Sequence, residues 1–243
     1  MKFLLFFSCA LLMYSCDVLS QMPKLPKVTG NLPINEPVTN SLTNDEVISG
    51  LKEALSVGIK NSVSLTSVMD GFLGNVEIRL PFPPDAIKVR EKALSLGLSG
   101  QVEKFETTLN RAAEEATKEA MPIFIDAIKS MSVQDGFAIL KGGNGAATTF
   151  LKNQTSAKLV TAFAPKVKEA TSKVKLTEYW NPIITKYNAL TMGEKLNPDL
   201  DAYITQKAID GLFLMVAKEE DKIRLDPAAR ITDLLSKVFG SLK

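Results

Sequence analysis

Few side chains in this sequence can do acid–base, nucleophilic or metal chemistry. There is no histidine, which removes the commonest general base and the commonest metal ligand near neutral pH. Cysteine occurs twice, at Cys9 and Cys16, both close to the start. That count excludes a zinc site or a Cys–His nucleophile, so no catalytic residue, no metal ligand and no cofactor is expected. What remains is carboxylate. Glu114/Glu115 and Glu219/Glu220 stand as adjacent pairs, but neighbours on a helix point in different directions, and such runs are expected on solvated faces. A glycine-rich turn, Gly142-Gly143-Asn144-Gly145, precedes Ala146-Ala147-Thr148. Backbone amides so arranged can cradle phosphate. No Gly-Lys-Ser/Thr follows and no strand precedes, so the turn reads as a helix C-cap and a tight connection.

The cysteine with a chemical context is Cys16. Residues 1–15 read MKFLLFFSCALLMYS. Lys2 is a charged start, and Phe3 to Tyr14 is an apolar run of secretory-signal length, too short to span a bilayer comfortably. Leu12-Met13-Tyr14-Ser15-Cys16 resembles the lipobox of bacterial lipoproteins: an apolar residue, two variable positions, a small residue and the acceptor cysteine. The resemblance implies cleavage after Ser15 and lipidation at Cys16. It also implies a protein held in the cell envelope on the inner or the outer membrane. A plain secretory signal with a stray cysteine, or an apolar first helix of a cytosolic protein, are the alternatives. Residues 16–42 carry Pro23, Pro26, Pro33 and Pro37 among polar residues with no helical period, as expected of a tether. Its roughly 26 residues beyond the cysteine reach about 85 Å when stretched and about 28 Å as a coil.

These residues need a body to position them, and residues 43–243 read as one all-α domain, a bundle of about eight to ten helices. Hydrophobic residues make up 45% of the chain, an ordinary globular share. Lys and Arg number 29 against 27 Asp and Glu, a balance that gives no reason to expect nucleic acid. Thr43 and Glu46 form a capping box. They open a helix with Ile48, Leu51, Leu55 and Ile59 on one face and with Gly50, Ala54 and Gly58 four apart, suited to a close helix crossing. The pattern breaks near Gly71 and Gly74. Val76 to Leu80 alternates with period two and reads as an extended connector, since one strand makes no sheet. Pro84-Asp85 starts a helix from Ala86 to Leu96.

Leu98, Val102, Phe105, Leu109, Ala112 and Ala116 then trace a coiled-coil-like seam, with Glu114 and Lys118 as an exposed i,i+4 pair. Pro122 kinks that helix or starts another, which runs to Met131. Ser132 opens the next, Ser156 caps a helix from Ala157 to Lys173, and Thr177 to Leu190 forms another. Asn197-Pro198 and Asp226-Pro227 are start signals. Between them, Leu200, Tyr203, Ile204, Ala208, Ile209, Leu212, Met215, Val216 and Ile223 recur at helical spacing. Gly211 to Ala217 holds no charged residue. A helix apolar all round must be surrounded, and this one is too short to cross a bilayer, so it is the expected core.

Ile78-Arg79-Leu80-Pro81, the run from Asp135 to Gly143, and Tyr203 through Gly240 resemble a family of exported bacterial proteins known only as domain of unknown function four-one-nine-seven. The resemblance spans roughly residues 45–240, the size of one domain. It implies an all-helical envelope domain and lends no catalytic residue. The leading expectation is a non-enzymatic envelope lipoprotein that binds or scaffolds. Its partners would be a membrane, through the lipid on Cys16, and an envelope protein or an apolar ligand. A carrier of lipid between helices, or a carboxylate hydrolase, are the alternatives; an apolar cavity would favour the carrier.

Overall fold

The computed structural model describes residues 43–173 and 199–240 except Ile231, together with Trp180, Ile184, Thr185, Asn188, Ala189 and Lys195. The leader, Cys16, the tether, Asn197-Pro198 and most of the helix expected over 177–190 lie outside the described residues. The described residues are all-α. They form eight α-helices and no strand: α1 (Asn44–Thr66), α2 (Ile87–Ser95), α3 (Ser99–Thr117), α4 (Ala120–Ser130), α5 (Val133–Lys141), α6 (Ala146–Lys173), α7 (Leu200–Leu225) and α8 (Asp233–Gly240). Short 3-10 turns occupy Pro84–Ala86 and Pro227–Ala229. None of these helices is long and apolar enough to cross a membrane.

The helix starts follow local chemistry. Thr43 and Glu46 close both halves of the capping box on α1, and Ser132 and Asp135 do the same on α5. Asp199 caps α7 by accepting the Ala202 N–H at 2.9 Å. Pro122 is the third residue of α4, where its missing N–H has no partner to lose. The cap expected at Ser156 is absent, because α6 runs unbroken from Ala146. Ser156 instead returns its hydroxyl to the Lys152 carbonyl at 2.6 Å.

α7 is the core of the bundle, packed against α1, α3 and α6. Ile204, Ala208 and Leu212 are fully buried. The enclosure is incomplete, since Leu214 remains 39% exposed. Gly211 explains the close fit of the chain between α1 and α2: a Cβ there would lie 2.7 Å from the Phe72 ring and 3.2 Å from Ile78. α1 crosses α7 at Gly58, beside Glu219 and Ile223, as the run of small residues leads one to expect. The seam on α3 buries Val102, Leu109, Ala112 and Ala116, while Leu98 stays 39% exposed.

The connector from 67 to 83 departs from the extended reading. Ile78 and Arg79 both donate backbone N–H groups to the Asn75 carbonyl, at 3.2 and 2.8 Å, so Val76 to Ile78 forms a turn. What fixes the segment is α3. Buried Asn110 accepts the Leu80 N–H at 2.8 Å and donates to the Leu80 carbonyl at 2.9 Å, pairing with it as a neighbouring strand would. One turn on, Glu114 accepts the Phe72 and Leu73 N–H groups at 3.1 and 3.2 Å.

Truncating Leu212, at 0% exposure, to Ala should cost about 2–5 kcal/mol. A thermal melt of L212A checks this, and a melt coinciding with wild type would remove α7 from the core.

Candidate functional site

The sequence singled out two carboxylate pairs, and the fold gives the four groups different fates. Glu115 is exposed and ion-paired with Lys118. Glu114, expected to reach Lys118, turns inward instead. It is 4% exposed and takes Arg111 at 2.6 Å besides the two connector amides. Arg111 continues to Asp70 at 2.7 Å, and Asp70 has φ +65°. The network thus pins the one non-glycine residue in left-handed backbone among the described residues.

Glu219 and Glu220 are also buried rather than solvated, at 8% exposure each. Their common position near the end of α7 sends them to opposite neighbours, as adjacent helical residues must go. Glu219 faces α1 and accepts from the Asn61 amide at 2.7 Å, with Lys222 at 3.6 Å. Glu220 faces the first turn of α6. It accepts the N–H groups of Ala147 and Thr148 at 3.1 and 2.8 Å and the Thr148 hydroxyl at 2.8 Å. Arg224, one turn later on α7, adds Nε at 2.9 Å and spans to the Ile139 carbonyl of α5 at 3.0 Å.

This contact decides what the glycine-rich turn does. Gly143 and Gly145 take φ +74° and +80°, and the chain enters α6 with its first amides unsatisfied by the helix itself. A helix start is a site for an anion, and here the anion is the protein's own Glu220. Burial raises the Glu220 pKa. The Thr148 N–H and hydroxyl, the Ala147 N–H and Arg224 outweigh that effect and hold it below the ordinary carboxylate value. A general acid needs the opposite shift.

Beside Glu220 lies an apolar crevice between α1, α6 and α7, lined by Leu51, Leu55, Leu151, Val216, Ile223 and Phe239. α8 covers it with Phe239, at 6% exposure. The free space inside is about 30 Å³, room for about one water.

The predicted lipidation residue Cys16 lies outside the described residues. No cluster of three or more potential metal-ligating side chains occurs among the described residues. Two polar residues the sequence reading passed over, Asn110 and Arg224, prove to tie elements together. For Arg224 a signal existed: Glu220 and Arg224 stand four apart at the polar end of an otherwise apolar helix.

Residues 41–240 match the profile of a family described as "Protein of unknown function (DUF4197)". No curated protein matches, and no solved structure does.

Replacing Glu220 by Gln should lower stability at neutral pH by about 2–3 kcal/mol, because charge-assisted hydrogen bonds weaken. Since the folded pKa of Glu220 is depressed, its contribution is complete above the unfolded carboxylate pKa and fades as pH falls through the folded one. Denaturant unfolding of E220Q and wild type should therefore converge below the ordinary carboxylate range. A gap independent of pH would show that the charge is not what matters.

Proposed function

The chain belongs to the DUF4197 family, and on that premise we propose that it is a bacterial envelope lipoprotein, anchored through Cys16, whose helical body binds or scaffolds without catalysis. Residues 1–15 are the signal removed on export, 16–42 the lipidated cysteine and its tether, and 43–243 the body. The ordered leader supports the anchor: Lys2, an apolar run, Ser15 and then Cys16. Several acyl chains give stable attachment where one is marginal.

One observation carries the non-catalytic reading. The three buried carboxylates among the described residues, Glu114, Glu219 and Glu220, are each held by donors of the protein's own helices and connector. They point to different neighbours, and Glu220 is tuned toward ionisation rather than toward proton donation. That disfavours the hydrolase. The apolar crevice under α8 is too small for a carried ligand, since ligand pockets run to roughly 300–1,000 Å³ and it offers about 30 Å³; the larger clefts, about 440 Å³ between α5 and α6 and about 370 Å³ beside Arg79 and Arg90, are lined by charged and polar as well as apolar residues. A body stiffened internally and mounted on a long tether suits an envelope protein as its partner.

Cys16→Ala tests the anchor. The variant should leave the membrane fraction or accumulate with its leader uncleaved, read by fractionation and by a gel shift of the mature chain. A variant that fractionates and migrates like wild type would sink the lipoprotein reading. Pull-down of the tethered protein, with mass spectrometry of proteins and lipids, separates scaffold from carrier.

A further inference from the structure

Asparagine or aspartate followed by glycine is the pairing in which the next backbone nitrogen most readily attacks the side-chain carbonyl carbon. Glycine has no Cβ to hinder the approach and leaves the backbone free to turn. The chain holds four such pairs: Asp70-Gly71, Asp135-Gly136, Asn144-Gly145 and Asp210-Gly211. The fold treats them unequally.

Three are locked. Asp70 has its carboxylate on Arg111 at 2.7 Å, and the Gly71 N–H donates to the Val68 carbonyl at 3.0 Å. Asp135 accepts the Ser132 N–H and hydroxyl at 3.0 and 2.6 Å, and the Gly136 N–H donates to the Ser132 carbonyl at 3.1 Å. Asp210 takes the Gln206 amide at 2.9 Å. Gly211 follows it inside α7, where backbone N–H groups are committed to the preceding turn. Asn61-Ser62, another pair with a small second residue, lies inside α1, and the Asn61 amide donates to Glu219 at 2.7 Å.

Asn144-Gly145 differs on each count. Asn144 is exposed in the turn between α5 and α6, flanked by Gly143 and Gly145 in left-handed backbone. The turn's own hydrogen bonds use carbonyls: Gly143 accepts the Ala146 N–H at 3.4 Å and Gly145 accepts the Thr149 N–H at 2.9 Å. Among the described residues, no hydrogen bond engages the Gly145 N–H or the Asn144 side chain. Both residues line the cleft of about 440 Å³ between α5 and α6, which is open to water. Asn144 also presents a neutral amide, a better target for a nucleophile than the ionised carboxylates of the other three pairs.

We propose that Asn144 is a site of covalent self-modification, converted in the folded protein through a succinimide. The Gly145 nitrogen loses its proton and bonds to the Asn144 side-chain carbonyl carbon. The bond from that carbon to the amide nitrogen breaks, and the nitrogen leaves as ammonia with the proton. Water then opens the five-membered ring. Attack at the side-chain carbon gives aspartate, and attack at the main-chain carbon gives isoaspartate. The sum is asparagine and water to a carboxylic acid and ammonia, with no redox change. The product carries a new carboxylate at the mouth of α6, close in sequence to the Ala147 and Thr148 amides that Glu220 holds. This inference rests neither on Cys16 nor on the envelope location.

The test ages the full wild-type chain in neutral and mildly alkaline buffer, with and without urea, and maps aspartate and isoaspartate by peptide mass spectrometry. In the folded protein, conversion at Asn144 should exceed that at Asn61, and isoaspartate at Asp70, Asp135 and Asp210, by several-fold. It should yield both products and rise several-fold with pH, since the attacking nitrogen must be deprotonated. Urea should raise conversion at the four locked sites several-fold and leave Asn144 little changed. Asn144 persisting intact in the folded chain while urea releases its conversion would overturn the proposal, because the native turn would then be holding it. Aspartate without isoaspartate would mean direct hydrolysis and would overturn the ring route.

Discussion

A charge taken out of water has to be met by hydrogen-bond donors, and that requirement links most of the helices here. α7 goes into the interior because its apolar residues leave little choice, and it takes Glu219 and Glu220 with it. Glu220 meets the requirement with the unsatisfied amides of α6, so one contact removes two liabilities at once: an ion without solvent and a helix start without acceptors. Arg224 balances the charge and extends the tie to α5. Further on, Arg230 donates to the carbonyls of Ile223 and Arg224 at 3.1 and 2.9 Å and lies 6.0 Å from the Phe239 ring. The polar end of α7 thereby sets where α8 lies.

The same logic governs the connector between α1 and α2. A segment of turns has backbone groups that no regular ladder uses, and burial makes them costly if left alone. α3 supplies their partners from one stripe. Glu106, Asn110 and Glu114 follow one another at four-residue intervals, which places them on one face of the helix. They hold Arg79, Leu80 and Phe72 respectively. Phe72, fully buried, can then seal against Gly211 of α7. Downstream, Phe82 packs on Phe105 at 4.6 Å between ring centres and on Trp180 at 5.8 Å.

What was legible beforehand follows the range of the physics involved. Periodicity and caps are local, and so the all-α class, the start of α1 at Thr43 and the core role of Leu212 could be read directly. Burial of a charged residue is decided by a partner far along the chain. Glu114 answers to Phe72, Glu219 to Asn61, and Glu220 to Thr148. Nothing within four residues of any of them announces that partner, and an i,i+4 rule for exposed helices pointed Glu114 at Lys118 instead. Ser156 failed as a cap for a related reason: its hydroxyl can bond back to Lys152 inside a continuing helix, and the three residues around it do not distinguish the two uses. Val76 to Leu80 alternated like a strand because polar Glu77 and Arg79 separate three apolar residues, yet only Ile78 and Leu80 are buried while Val76, in the same register, is exposed, a pattern that a turn anchored on α3 produces and a strand would not.

The allocation of polar groups also bears on where function can reside. Inside the body, Asn110, Glu114, Glu219 and Glu220 each close a structural contact, and the space beside Glu220 is nearly filled. Such groups are poor candidates for exchange with a ligand, because removing one leaves a buried donor or acceptor unmet.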